Sequence, residues 1–194
     1  MASQKHPPAL YLLAATAAGE RFAYYGMRAL LILYMVAGIT GTMTGMNFSE
    51  GIASNIYGVF NGLCYLFPFF GGILADRYLG ERKSVTVGGI FILSGLILMS
   101  LSAAKIPFFA GLTLIAVGNG FFKPTVVSMI GSLYEQGDPR RDNAYTLYYQ
   151  LFNGAVFFAP IACGAVSVAW GYRAGFMVAG VAVALSVLAY LLLS

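Results

Sequence analysis

The sequence is poor in charge: 11 Lys and Arg and 7 Asp and Glu make up 9% of its 194 residues. Soluble domains carry about 25%, so these charges cannot give a folded domain a water-compatible surface. A soluble globular fold is excluded. A disordered chain is excluded as well, because such chains are polar and rich in charge. Two cysteines are too few for a disulfide scaffold. Cys64 and Cys163 both fall in apolar stretches and read as free thiols acting as small apolar residues. The single histidine, His6, lies near the N-terminus, and no metal-ligand spacing forms around it. There is no Ser-His-Asp set, no P-loop and no dinucleotide motif between a strand and a helix. GNGFFKP at 118–124 is glycine-rich but sits inside an apolar run. Neither an enzyme nor a metal or organic cofactor is expected.

What the chain does have is apolar length and glycine, with 59% hydrophobic residues and 24 Gly. Glycine-rich apolar sequence suits helices that pack closely in lipid. Charge-free runs cover 29–49, 51–75, 84–104, 106–122, 124–134, 143–172 and 174–194. A hydrocarbon core of about 30 Å needs about 20 apolar residues in a helix. Six spans are predicted, at 9–36, 50–75, 84–104, 107–133, 143–168 and 174–194. The first requires Glu20, Arg21 and Arg28 inside the membrane, and the fourth requires Lys123. The blocks are too long for barrel strands, which run to about 10 residues with alternating polarity. Lys5 followed by ALYLLAATAA has the layout of a secretory signal. The apolar pattern, however, continues through LLILYMVAG to Gly38, as in a retained span. Lys5, Arg77, Arg82, Lys83, Arg140 and Arg141 fall in the N-terminal tail and the even-numbered gaps, against Lys105 and Arg173 in the odd ones. Basic loops stay inside, so a cytoplasmic N-terminus in the plasma or inner membrane is expected. The surplus of basic residues is orientation signal and implies no nucleic acid.

Ionisable residues within a span cost about 2.5–3.5 kcal/mol each on insertion scales, and they usually face a cavity with a role. Snorkelling suits Arg28 or Glu20 alone but not Lys123, which has 17 uncharged residues before it and 11 after. At about 100° per residue, Ala17, Arg21, Tyr25 and Arg28 share one stripe of the first helix, with Tyr24 beside it. Glu20 lies about 100° from Arg21, which favours its pairing with a neighbouring helix. Polar stripes recur as Tyr57, Asn61 and Tyr65, as Asn119 and Lys123, and as Tyr145, Tyr149 and Asn153. Each alone suits helix–helix hydrogen bonding or interfacial anchoring. Together they suggest one water-accessible cavity. Three cations against one anion leave it positive, so it either receives an anionic group or faces acids outside this chain.

These residues resemble the proton-dependent oligopeptide transporter family of the major facilitator superfamily. The family's first-helix motif, E-x-x-E-R-F-x-Y-Y-G, stands here as AAGERFAYYG over 17–26, followed by Arg28. GGILADRYLGERK at 71–83 is similar to the superfamily's loop between the second and third spans. GNGFFKP is similar to the family's G-x-G-x-x-K-P, and YYQLFNGA at 148–155 to F-Y-x-x-I-N-x-G. The resemblance covers nearly the whole chain but only the N-terminal half of such a transporter. The chain departs from the pattern at Ala17, where the motif's first Glu belongs, and at Ala155, in place of a Gly.

The resemblance implies an all-α membrane protein: residues 1–194 forming one six-helix bundle of 3+3 inverted repeats, without the C-terminal bundle. It implies proton-coupled symport of di- and tripeptides by alternating access. Arg28 would hold the peptide carboxylate with Lys123 near it; Tyr24, Tyr25, Tyr65 and Asn153 would line the site. Glu20, Arg21 and Lys123 would form the proton-responsive network, with protons as the coupling ion. Asp76, Arg77 and Gly80 would belong to a cytoplasmic gating loop, Asp76 bonding a helix end or a nearby Arg. The expected partners are the peptide, the bilayer and the missing transporter half, in the same longer chain, a second subunit or a second copy. Transport of another anion, such as nitrate or an amino acid, stays open because Ala17 removes a coupling carboxylate. So does a non-transporting membrane scaffold or sensor.

Overall fold

A computed structural model of the chain describes residues 5–39 and 43–193. These form six helices: α1 Pro8–Val36, α2 Glu50–Leu74, α3 Glu81–Leu101, α4 Lys105–Ser132, α5 Arg140–Trp170 and α6 Tyr172–Leu193. A π-helical turn, Ala75–Leu79, extends α2. Among the described residues, α2 to α6 are long and apolar enough to cross a membrane. Helix α1 is 29 residues long but carries Glu20, Arg21 and Arg28.

The helix ends show what the hydrophobic pattern alone misplaces. Pro8 starts α1 at a position where its missing N–H costs nothing. After α1 the chain doubles back: the amides of Met46, Asn47 and Phe48 donate to the carbonyls of Tyr34, Ala37 and Met35 at 3.0, 2.9 and 2.8 Å. These bonds satisfy carbonyls that a helix end otherwise leaves unpaired. The loop expected at 76–83 is instead helical on both sides of one residue, Gly80, whose φ of 74° stops the helix. Helix α3 therefore runs three residues early at each end, with Arg82 and Lys83 in its first turn. Gly171, at φ 87°, likewise joins α5 to α6 alone. The predicted end of the last span, residue 194, lies outside the described residues.

Helix α1 packs against α5 and α6, α4 against α2 and α3, and α3 against α6. The core of Leu31, Tyr34, Ile92, Phe108, Phe122 and Phe176 lies among α1, α3, α4 and α6 and is closed to solvent. Helices α2 and α5 flank it and bury far less of themselves. The α3–α4 pair packs closely along its length: a Cβ on Gly95 would lie 2.5 Å from the Gly111 carbonyl oxygen, and one on Gly118 2.6 Å from that of Gly88. Two glycines a seven-residue step apart on each helix thus let the backbones touch.

Candidate functional site

The α1 stripe comes to lie where α1 meets α2, α4 and α5. Arg21 is 3% exposed and Glu20 is 1% exposed. Arg21 Nε donates to Glu20 Oε2 at 2.6 Å, forming an ion pair. This corrects the expectation that Glu20 pairs with another helix. Two long adjacent side chains can bend through the 100° between them, and in a low dielectric their attraction is strong enough to make them do so. The other Glu20 oxygen, Oε1, has no hydrogen-bond partner among the described residues. An Arg21 terminal amino group donates to Asn119 Oδ1 on α4 at 3.2 Å. The guanidinium carbon lies 5.5 Å from the centre of the Tyr24 ring and 5.6 Å from that of Phe152 on α5.

Further along α1, by about two turns, Arg28 Nε donates to the Tyr57 hydroxyl on α2 at 2.7 Å. Its guanidinium carbon sits 5.4 Å from the Tyr57 ring centre and 6.0 Å from that of Tyr25. Lys123 Nζ lies 5.3 Å from the ring centre of Tyr65, which is 71% exposed. Neither Arg28 nor Lys123 forms an ion pair among the described residues, so Lys123 is not salt-bridged to Glu20. The Tyr24 hydroxyl reaches Asn61 Oδ1 at 3.5 Å, and Asn61 Nδ2 donates to the Tyr57 carbonyl at 2.9 Å.

The electrostatics follow from this partition. Glu20 and Arg21 neutralise each other, leaving two cations, Arg28 and Lys123, with only aromatic faces and a hydroxyl as partners. A cation over a ring gains about 0.5–2 kcal/mol, whereas taking a charge out of water costs several kcal/mol. Arg28 and Lys123 are half-buried, not sealed. Chemically the face can accept an anionic group and is rimmed by tyrosines.

Other predicted site residues lie at the edge of this cluster or away from it. Asn153 and Tyr149 on α5 are exposed. Tyr145, on the same stripe, turns to α4, and its hydroxyl donates to the Val127 carbonyl at 3.3 Å. Asp76 and Arg77 are exposed in the π-helical turn. The bond expected of Asp76 is made to no described residue, because the turn carries its side chain outward. Phe152, unflagged in sequence, stacks on Arg21; only its place next to Asn153 could have pointed to it. Outside the spans, Arg140 donates from its backbone and side chain to Asp138 at 2.7–3.1 Å. These bonds hold the Asp138 carboxyl below the usual carboxylate range.

A model of the POT family matches residues 82–194. The chain is 38% identical over 188 residues to the uncharacterized transporter YclF of Bacillus subtilis (strain 168), covering 96% of this chain and 38% of that protein. It is 38% identical over 187 residues to the peptide transporter YePEPT of Yersinia enterocolitica subsp. palearctica serotype O:3 (strain YE-P4), covering 95% and 36%. The structure of a peptide transporter POT in complex with sulfate matches with a TM-score of 0.93 at 33% identity, over 99% of this chain and 39% of that one. A POT family transporter in complex with 5-aminolevulinic acid matches with a TM-score of 0.93 at 32% identity, over the same shares. The chain thus spans well under half the length of these relatives.

Proposed function

The chain belongs to the POT family, and we propose that it forms the N-terminal six-helix bundle of a proton-coupled di- and tripeptide symporter. The transporter works by alternating access in the cytoplasmic membrane, with its N-terminus inside. Peptide transporters among the relatives and solved neighbours support the substrate class. The observation that carries the reading is the pair of half-buried cations, Arg28 and Lys123, that no carboxylate answers among the described residues. They bind the peptide carboxylate, with Tyr24, Tyr25, Tyr65 and Asn153 around it. Glu20, Arg21 and Lys123 respond to the proton, and Asp76, Arg77 and Gly80 belong to the gating segment.

The helix packing supports six spans arranged as 3+3 inverted repeats. Exchanging α1 with α4, α2 with α5 and α3 with α6 maps α1–α5 onto α2–α4, α1–α6 onto α3–α4 and α3–α6 onto itself, although among the described residues the α5–α6 packing has no comparable α2–α3 counterpart. The same exchange matches Gly80 with Gly171, each in a left-handed conformation and each followed two residues on by an arginine, Arg82 or Arg173. Facilitator sites lie at the repeat interface near the midplane, and Glu20, Arg21, Arg28 and Lys123 are on α1 and α4.

The test is dipeptide uptake by the complete transporter in proteoliposomes. Uptake is expected to saturate, to stop when a protonophore collapses the proton gradient, and to be lost in Arg28→Ala and Lys123→Ala. Uptake indifferent to both substitutions refutes the site; uptake without a proton gradient refutes the coupling.

A further inference from the structure

Arg21 carries five N–H donors and no acceptor, and two side-chain oxygens meet it. Glu20 Oε2 takes Nε at 2.6 Å, and Asn119 Oδ1 takes a terminal amino group at 3.2 Å. Glu20 is the preceding residue on the same helix, so its bond ties α1 to nothing else. Asn119 makes the tie across to α4. It is 2% exposed, and its own amide donates to the Ile115 carbonyl at 3.1 Å, which turns Oδ1 toward Arg21. One turn earlier on α1 stands Ala17, 3% exposed, whose methyl accepts no hydrogen bond. The second oxygen available to this guanidinium is thus an amide, which does not titrate.

We infer that Asn119 is a positioning residue for Arg21: a neutral acceptor on α4 that holds the guanidinium in place whether Glu20 is charged or protonated. The inference rests on the proton-coupled reading above. A proton added to Glu20 resides on its carboxylate and weakens an ion-paired bond to one between a cation and a neutral acid. Arg21 keeps its full charge and needs another oxygen. The titratable groups that act on the pair are Tyr24 on α1, Cys64 on α2, Lys123 on α4 and Tyr148 on α5. None of them is an anion at neutral pH, and Lys123 repels Arg21. Asn119 therefore carries the α1–α4 connection through the protonated state.

Two measurements on the complete transporter test this. In detergent, Asn119→Leu should lower the unfolding temperature more in a Glu20→Gln background, where residue 20 is permanently neutral, than in wild type. Asn119→Asp, which keeps the oxygen, should recover most of that loss at alkaline pH. Equal losses in both backgrounds would reduce Asn119 to a packing residue and overturn the inference. In proteoliposomes, Asn119→Leu should cut proton-driven uptake about tenfold relative to peptide exchange without a gradient, the scale of one hydrogen bond to a charged group. A parallel fall in both modes counts against it. If wild type shows no proton-driven uptake, the proposed function fails, while the comparison of unfolding temperatures still decides the role of Asn119.

Discussion

Arg28 is held in a way that leaves it available. Tyr57 takes Nε and covers the guanidinium face, which leaves the two terminal amino groups to form the two parallel bonds that suit a carboxylate. Removing the Tyr57 hydroxyl while keeping its ring isolates the positioning bond. Tyr57→Phe should weaken apparent peptide affinity by roughly tenfold, about 1.4 kcal/mol, near the low end for a bond to a charged group because Arg28 is only half-buried. The maximal uptake rate should fall less. Unchanged affinity in a concentration series would show that Tyr57 does not orient Arg28. Most of this cluster is legible in the sequence, because helical spacing alone puts Arg21, Tyr25 and Arg28 on one stripe. The choice of partners is not. Spacing argues from backbone direction, whereas Glu20 and Arg21 meet through the bending of their side chains, and Phe152 reaches Arg21 from a helix far away in sequence.

Close packing in this bundle depends on a few backbone approaches, and neighbouring glycines separate those that matter. A Cβ at Gly71 would meet the Gly120 carbonyl oxygen at 2.3 Å, while one at Gly72 would meet Pro124 at an ordinary 3.8 Å. Gly71→Ala should part α2 from α4 at a cost of about 1–3 kcal/mol. Gly72→Ala should be neutral or slightly stabilising, since alanine favours the helix by up to about 1 kcal/mol. Thermal unfolding of the two variants in detergent checks this, and equal effects would contradict the α2–α4 geometry. The six helices themselves are legible from apolar run length, which reports what lipid tolerates. Their ends are not. The predicted third span stops at its flanking charges, Lys83 and Lys105, yet α3 begins at Glu81 because the left-handed Gly80, not polarity, breaks the backbone.

The placement of basic residues runs against helix electrostatics, and that conflict identifies what placed them. Arg82 and Lys83 occupy the first turn of α3, and Arg140 and Arg141 that of α5. The positive end of a helix dipole disfavours cations there by about 0.3–1 kcal/mol each. Glu81, Asp142 and the Asp138–Arg140 ion pair offset part of that cost. The remainder is borne for a reason outside the helices, and in the proposed orientation retention of basic loops on the cytoplasmic side supplies it. The geometry groups these ends on one side. The His6 ring nitrogen lies 2.8 Å from the Tyr134 hydroxyl beyond α4, and Arg82 shares a hollow with the start of α1 and the ends of α4 and α6. On the opposite side, Arg173 Nε donates to the Ser100 carbonyl at 2.6 Å, fastening the start of α6 to the end of α3. Both native thiols are buried, so replacing them with serine gives a background for single-cysteine labelling. In intact cells, a membrane-impermeant maleimide should label Ser102→Cys and not Gln136→Cys. Permeabilisation should expose Gln136→Cys. The reverse pattern would invert the bundle and place the cationic loops outside, leaving their position at the helix N-termini without a physical cause.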